Sequence, residues 1–137
     1  MLKKRDTSFP SQNNSGVNQM GELVSELLSA ATKLHMAHLK TTSYASHMAL
    51  GEFYDELPDM VDGIAEQYQG VTETLLNYSI KTVDPINTPE EAVAYLRKLY
   101  TMIDNYQSNC MYSEIINELD VIKSAINSTK YKLIFLK

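Results

Sequence analysis

The sequence predicts an all-α chain: a four-helix bundle with one long crossover between helices two and three. Three observations predict it. Apolar residues recur at three- and four-residue steps along four separate stretches. No segment shows the sustained apolar–polar alternation of a half-buried strand. The links between the stretches run short, long, short, which suits two antiparallel hairpins joined by a return along the bundle. With 137 residues the chain has room for one core of ordinary size.

Residues 1–17 form a polar segment, MLKKRDTSFPSQNNSG and Val17, expected as a flexible tail ahead of a bundle at 18–137. From Asn18 the stripe Met20, Leu23, Val24, Leu27, Leu28, Ala31, Leu34 predicts the first helix, with His35 and His38 at its end. A second helix is expected from Ser43–Ser46 to about Gln69, with Gly70 as its stop, on Leu50, Phe53, Tyr54, Leu57, Val61, Ile64, Ala65 and Tyr68. Pro58 removes one backbone hydrogen bond inside it and predicts a bend. A short helix at Thr72–Tyr78 is plausible in the long link, and Asp84-Pro85 marks a turn. Thr88-Pro89-Glu90-Glu91 reads as a capping box opening the third helix, with Val93, Leu96, Leu99, Ile103 and Tyr106 inward. Met111–Phe135 is the fourth, with Ile115, Leu119, Ile122, Ile126, Thr129 and Leu133 inward.

Composition excludes several classes. Lys+Arg 12 against Asp+Glu 17 gives a formal net charge of −5, which argues against a body that coats nucleic acid. Only Lys3, Lys4 and Arg5 offer a weak phosphate-binding arm. The single cysteine, Cys110, forms no internal disulfide, pairs with nothing and is assigned no role. No apolar run approaches the ~20 residues of a membrane span, and no apolar core follows the basic start. A cytoplasmic location is expected.

The chemistry concentrates in one region. All three histidines, His35, His38 and His47, lie close together in the sequence, and Glu52, Asp55, Glu56, Asp59, Asp62 and Glu66 follow. Histidine and carboxylate together suit iron, manganese or zinc. Asp62 and Glu66 are one helical turn apart, and His47, Gly51, Tyr54, Pro58 and Asp62 share a helix face. His47 and Asp62 are nevertheless about 22 Å apart at ~1.5 Å per residue. One ion cannot touch both in one helix. Two antiparallel copies about a two-fold axis would bring them together and create two equivalent sites. Asp55, Glu56 and Asp59 read as a solvated face, and Tyr54 as core packing with a possible place beside the site.

The stretch LHMAHLKTTSYASHMALGEFYDELPDMVDGIAEQYQG, residues 34–70, resembles the Dps family, the ferritin-like proteins of starved bacteria. That family has a His-Trp at the end of its first helix and a Leu-His-Glu in the second. An Asp-x-Ile-Ala-Glu-Arg run follows at a fixed offset from the second histidine. Here His47 to Asp62 keeps that offset, a step of 15, and Asp62-Gly63-Ile64-Ala65-Glu66 matches the run. The wording HLKT-SYA-H-ALGEFY is closer still to small phage-encoded ferritin-like proteins. The resemblance implies a ferritin-like four-helix bundle and a ferroxidase site between two-fold-related subunits. There Fe(II) is oxidised, commonly by hydrogen peroxide, and stored in a dodecameric cage. Carried over by position, His38 and His47 are ligands from one subunit, with Asp62 and Glu66 from the other.

The departures fall on the site itself. Leu39 stands where the family has tryptophan, and Gln67 where it has arginine. His38 to His47 is a step of 9 against the family's 12, a spacing that His35 keeps, so either histidine fills that position. The family's further acid falls on Gly51, with Glu52 one residue out of phase. A di-iron site inside one bundle is rejected, because it needs Glu-x-x-His and the chain has none. The expected function is therefore Dps-like iron binding, ferroxidation and protection from oxidants, by a two-fold dimer at least and a dodecamer by resemblance. The alternative is a non-catalytic ferritin-like interaction or virion-associated module of a phage.

Overall fold

The computed structural model describes residues 10–81 and 84–137, with side chains from Ser15 onward. Lys3, Lys4 and Arg5 lie outside the described residues. Four helices make up the described chain, with no strand among the described residues: α1 (Pro10–Lys40), α2 (Tyr44–Thr72), α3 (Pro89–Gln107) and α4 (Ser113–Phe135).

α1 starts at Pro10, well before the expected Asn18, so the boundary expected at 17 falls inside a helix. Val17 is already buried there, and Gly16 passes against the Tyr68 hydroxyl. The stripe from Met20 to Leu34 is buried as expected, apart from the partly exposed Leu28. α2 begins at a Ser43 cap whose side chain accepts from the Ser46 N–H, and it runs unbroken through Pro58 and past Gly70. Buried Tyr68 and Thr72 continue its apolar stripe beyond the glycine, so packing decides the end. The stop is Glu73, in the left-handed region at φ 53°, with its N–H on the Gln69 carbonyl. The short helix expected at Thr72–Tyr78 is absent. Those residues are irregular after the α2 end, with Leu76 N–H and Tyr78 O–H both donating to the Gln69 side-chain oxygen.

α3 opens on its capping box. Thr88 Oγ1 accepts from the Glu91 N–H, and the Glu91 carboxylate accepts from the Asn87 N–H at 2.7 Å. α4 buries Ile115, Leu119, Ile122, Ile126, Thr129 and Leu133.

α1 packs on α2 and α3, and α4 packs on the same two. Neighbours run antiparallel. Gly16 meets Tyr68 while His38 meets His47; Lys33 meets Tyr95 while Gln19 lies near Tyr106; Lys132 pairs with Glu52 while Tyr68 meets Tyr112. α2 and α3, both antiparallel to α1, point the same way. Residues 73–88 join them and touch α1 repeatedly: Asn77 lies against Gly21, Ser79 N–H donates to Ser25, Lys81 pairs with Glu22, and Asn87 accepts from Lys40.

Candidate functional site

The three histidines gather at the α1–α2 turn. Residues 41–43 are the whole link, so the end of α1 lies directly against the start of α2. His38 Nδ1 lies 2.6 Å from the His47 carbonyl oxygen, and His47 Nδ1 lies 2.9 Å from the His38 carbonyl oxygen. A carbonyl can only accept, so each ring carries a proton on Nδ1 and donates it. The two rings stack with centroids 3.7 Å apart. His35 is exposed and stacks on Tyr54 at 4.0 Å, and Tyr54 meets His38 edge-on at 5.1 Å. Gly51 makes this possible: a Cβ there would stand 3.0 Å from His38 Cε1. The position where the resemblance expects an acid is thus the position against which the imidazole lies.

The carboxylates sit elsewhere. Asp62 and Glu66 are exposed on α2. Burial pushes the Tyr78 phenol above its ordinary range, and the Asp62 charge adds to the push. Glu52 points to α4 and pairs with Lys132 at 2.6 Å. Asp55 shares a shallow groove of about 270 Å³ with His35, Tyr54 and Pro58. Among the described residues, no group of three or more His, Cys, Asp or Glu side chains could hold a metal ion within one chain. The fold brings the histidines together and keeps Asp62 and Glu66 apart from them, several helical turns further along α2.

Two polar clusters were not legible in the sequence. Lys33, only 7 % exposed, donates to Glu26 and to the Tyr95 hydroxyl, both at 2.9 Å, and Tyr95 donates to Glu26. Burial opposes the Glu26 charge, but the hydrogen bonds from Tyr95 and Lys33 outweigh it and hold the carboxyl below its usual range. At the opposite end from the histidines, Tyr68, Tyr106, Cys110 and Tyr112 line a cleft of about 340 Å³. Burial, and then the neighbouring Tyr68 and Cys110, push the Tyr106 phenol far up. Each cluster joins residues far apart in the chain, Lys33 to Tyr95 and Tyr68 to Tyr106, so no local signature would have found either.

No helix among the described residues is long and apolar enough to cross a membrane. No solved structure matches the chain. A protein of Enterobacteria phage T4, described as an uncharacterized 14.6 kDa protein in the mobD-ri intergenic region, is 30% identical over 116 residues, covering 82% of this chain and 85% of the relative. The model of a family of unknown function, DUF5856, matches residues 38–133, a span that holds His38, His47, Asp62, Glu66 and all of α2, α3 and α4 but the last two residues of α4. The chain belongs to that family.

Proposed function

We propose that the chain is a ferritin-like bundle that binds Fe(II) between two copies of itself and oxidises it. The observation that carries this reading is the separation on α2. His47 stands in the first turn of α2 and Asp62 about four turns further along the unbroken helix, with Asp62 and Glu66 exposed and with Nδ1 of His38 and His47 committed to carbonyl oxygens. A two-fold axis that sets two α2 helices antiparallel turns that separation into two equivalent sites. The square packing of the helices and the link along α1 support the ferritin-like topology, with residues 73–88 as its crossover.

In each site the imidazole nitrogens of one copy, from His47 and either His38 or His35, face Asp62 and Glu66 of the other. Anionic oxygen ligands favour Fe(III) over Fe(II) and so lower the potential. Two Fe(II) ions each give one electron to hydrogen peroxide, whose O–O bond breaks to yield two hydroxide ions. Glu52 is left out, because Lys132 holds it on the α4 side. Manganese or zinc suits the same donors.

The test is iron binding and Fe(II) oxidation by the purified chain. About two ions per dimer and a rate well above buffer are expected, with Asp62→Asn cutting the rate strongly and Asp59→Asn leaving it unchanged. A parent protein no faster than buffer sinks the reading.

A second reading is a non-catalytic interaction or virion-associated module of a phage. It is favoured by the use of His38 and His47 as a structural clasp and by the phage origin of the relative. Under it the Asp62→Asn variant and the parent behave alike toward iron.

A further inference from the structure

At the end of the bundle opposite the histidines, three parts of the chain converge on one cleft. α1 brings Gly16 and Gln19, α2 brings Tyr68, and the end of α3 with the turn after it brings Tyr106, Asn109 and Tyr112. The cleft holds about 340 Å³, within the range of small-molecule sites. Gly16 keeps its wall clear, since a Cβ there would stand 2.9 Å from the Tyr68 hydroxyl. A second groove, of about 360 Å³, is continuous with the first, because Gln19, Tyr106 and Asn109 line both. Asn105 adds a further side-chain amide on that side.

The lining selects a ligand by charge and by shape. Among the described residues, no Lys, Arg, Asp or Glu lines the first cleft, and the one in the second, Glu22, pairs with Lys81. A phosphate, carboxylate or ammonium group would give up water here without meeting an opposite charge. Burial pushes the Tyr68 phenol up and the Tyr106 phenol far up, so both stay neutral hydroxyls. What the cleft offers is the aromatic surface of three tyrosines, with Tyr68 and Tyr112 nearly at right angles and 6.0 Å apart, beside three carboxamides. Tyrosine rings stack on nucleobases. An Asn or Gln amide matches the adjacent donor and acceptor of adenine, N6 and N7. A nucleic-acid strand would bring its phosphates, which a chain of formal net charge −5 repels.

We propose that this cleft binds an uncharged purine nucleoside, its base among Tyr68, Tyr106 and Tyr112 and its ribose in the adjoining groove beside Asn105 and Asn109. The site is separate from the histidines and from Asp62 and Glu66, and it does not rest on the iron reading.

Isothermal titration of the full chain with adenosine, carried to about 1 mM, tests it, with AMP and D-ribose as comparison ligands. Adenosine is expected to bind saturably, AMP about tenfold or more weakly, and ribose not at all in that range. Gln19→Ala and Asn109→Ala, both at exposed positions, should each weaken adenosine binding by about tenfold with the helical circular dichroism unchanged. Asp59→Asn, on the exposed face of α2 and outside both grooves, should bind as the parent does. If a carboxamide variant loses helicity, Tyr106→Phe, which keeps the ring and removes the hydroxyl, carries the same two outcomes. No saturable binding of adenosine overturns the proposal. So does AMP or ribose binding as tightly as adenosine, or parent-like adenosine binding by the cleft variants.

Discussion

His38 and His47 close the α1–α2 turn by a reciprocal pair of hydrogen bonds. Each ring gives its Nδ1 proton to the other residue's carbonyl oxygen, at 2.6 and 2.9 Å, and the two rings stack at 3.7 Å. The clasp uses the His38 carbonyl at the end of α1, where helical bonding runs out, and the His47 carbonyl in the first turn of α2, which the helix also pairs with the Gly51 N–H. His47→Ala should lower the unfolding free energy by about 1–3 kcal/mol, because it leaves the His38 carbonyl at the α1 end without its donor, and His38→Ala by about 0.5–1.5 kcal/mol, the net worth of one hydrogen bond. Urea denaturation of both single variants and the double variant checks this. A coupling energy of about 0.5–3 kcal/mol is expected for contacting residues, and a coupling near zero would show that the rings touch without holding the turn.

The link along α1 makes a second, opposite pair of predictions. Glycine inside a helix normally costs about 1 kcal/mol relative to alanine. Gly63→Ala should recover about that much, since a Cβ there meets nothing within 4 Å. Gly21→Ala should instead destabilise by about 1–3 kcal/mol, because the new Cβ would stand 2.5 Å from the Asn77 carbonyl oxygen and push the link off the helix. Thermal unfolding of the two variants side by side decides it. Equal effects at the two sites would mean that the link does not press on α1.

Periodicity made most of the fold legible, since it reports burial directly. Every inward position named for α4 is buried, and Thr88 caps α3 as its Thr-Pro-Glu-Glu run implies. Ends set by packing were less legible. Gly70 looked like a stop, yet Tyr68 and Thr72 lie on the buried stripe and carry α2 on to Glu73, a residue that takes the left-handed conformation at some cost. The histidine cluster was visible as a cluster. Its geometry was not, because the clasp depends on the very short link at 41–43 and on the missing Cβ of Gly51. Lys33 fell on a buried face without any local cue. Its partner Tyr95 lies 62 residues away.

The Lys33–Glu26–Tyr95 group should be costly to break and sensitive to acid. Lys33→Met strands a carboxylate whose side chain is only 12 % exposed, and a loss of about 3–5 kcal/mol is expected. Lys33→Met combined with Glu26→Gln should lose less, since the amide oxygen still accepts from Tyr95. Glu26 is held below its ordinary range, so its contribution is fully present above the unfolded value of about 4.3 and is lost as pH falls through the lower folded value. Stability measured from pH 7 down to pH 3 should therefore drop less steeply in Glu26→Gln than in the parent. Parallel curves would remove Glu26 as a source of acid sensitivity.

The three histidines separate when stability and iron are measured on the same variants. His35 is exposed and takes no part in the clasp; its recorded contacts are rings, Tyr54 at 4.0 Å and His38 at 6.1 Å. His35→Ala should therefore change the unfolding free energy by no more than about 0.5 kcal/mol, the range of surface substitutions. Its effect on Fe(II) oxidation is then a clean reading of ligation. His38→Ala and His47→Ala lose the clasp as well, so their iron rates must be compared at a temperature where all variants remain folded. If His35 completes the site with His47, the wider spacing is the functional one, and His35→Ala and His47→Ala slow oxidation alike while His38→Ala slows it less. If His38 is the ligand, His35→Ala oxidises Fe(II) like the parent, and the shorter spacing serves both the turn and the metal. Parent-like oxidation by all three single variants would remove histidine from the iron chemistry and leave the clasp as its role in this chain.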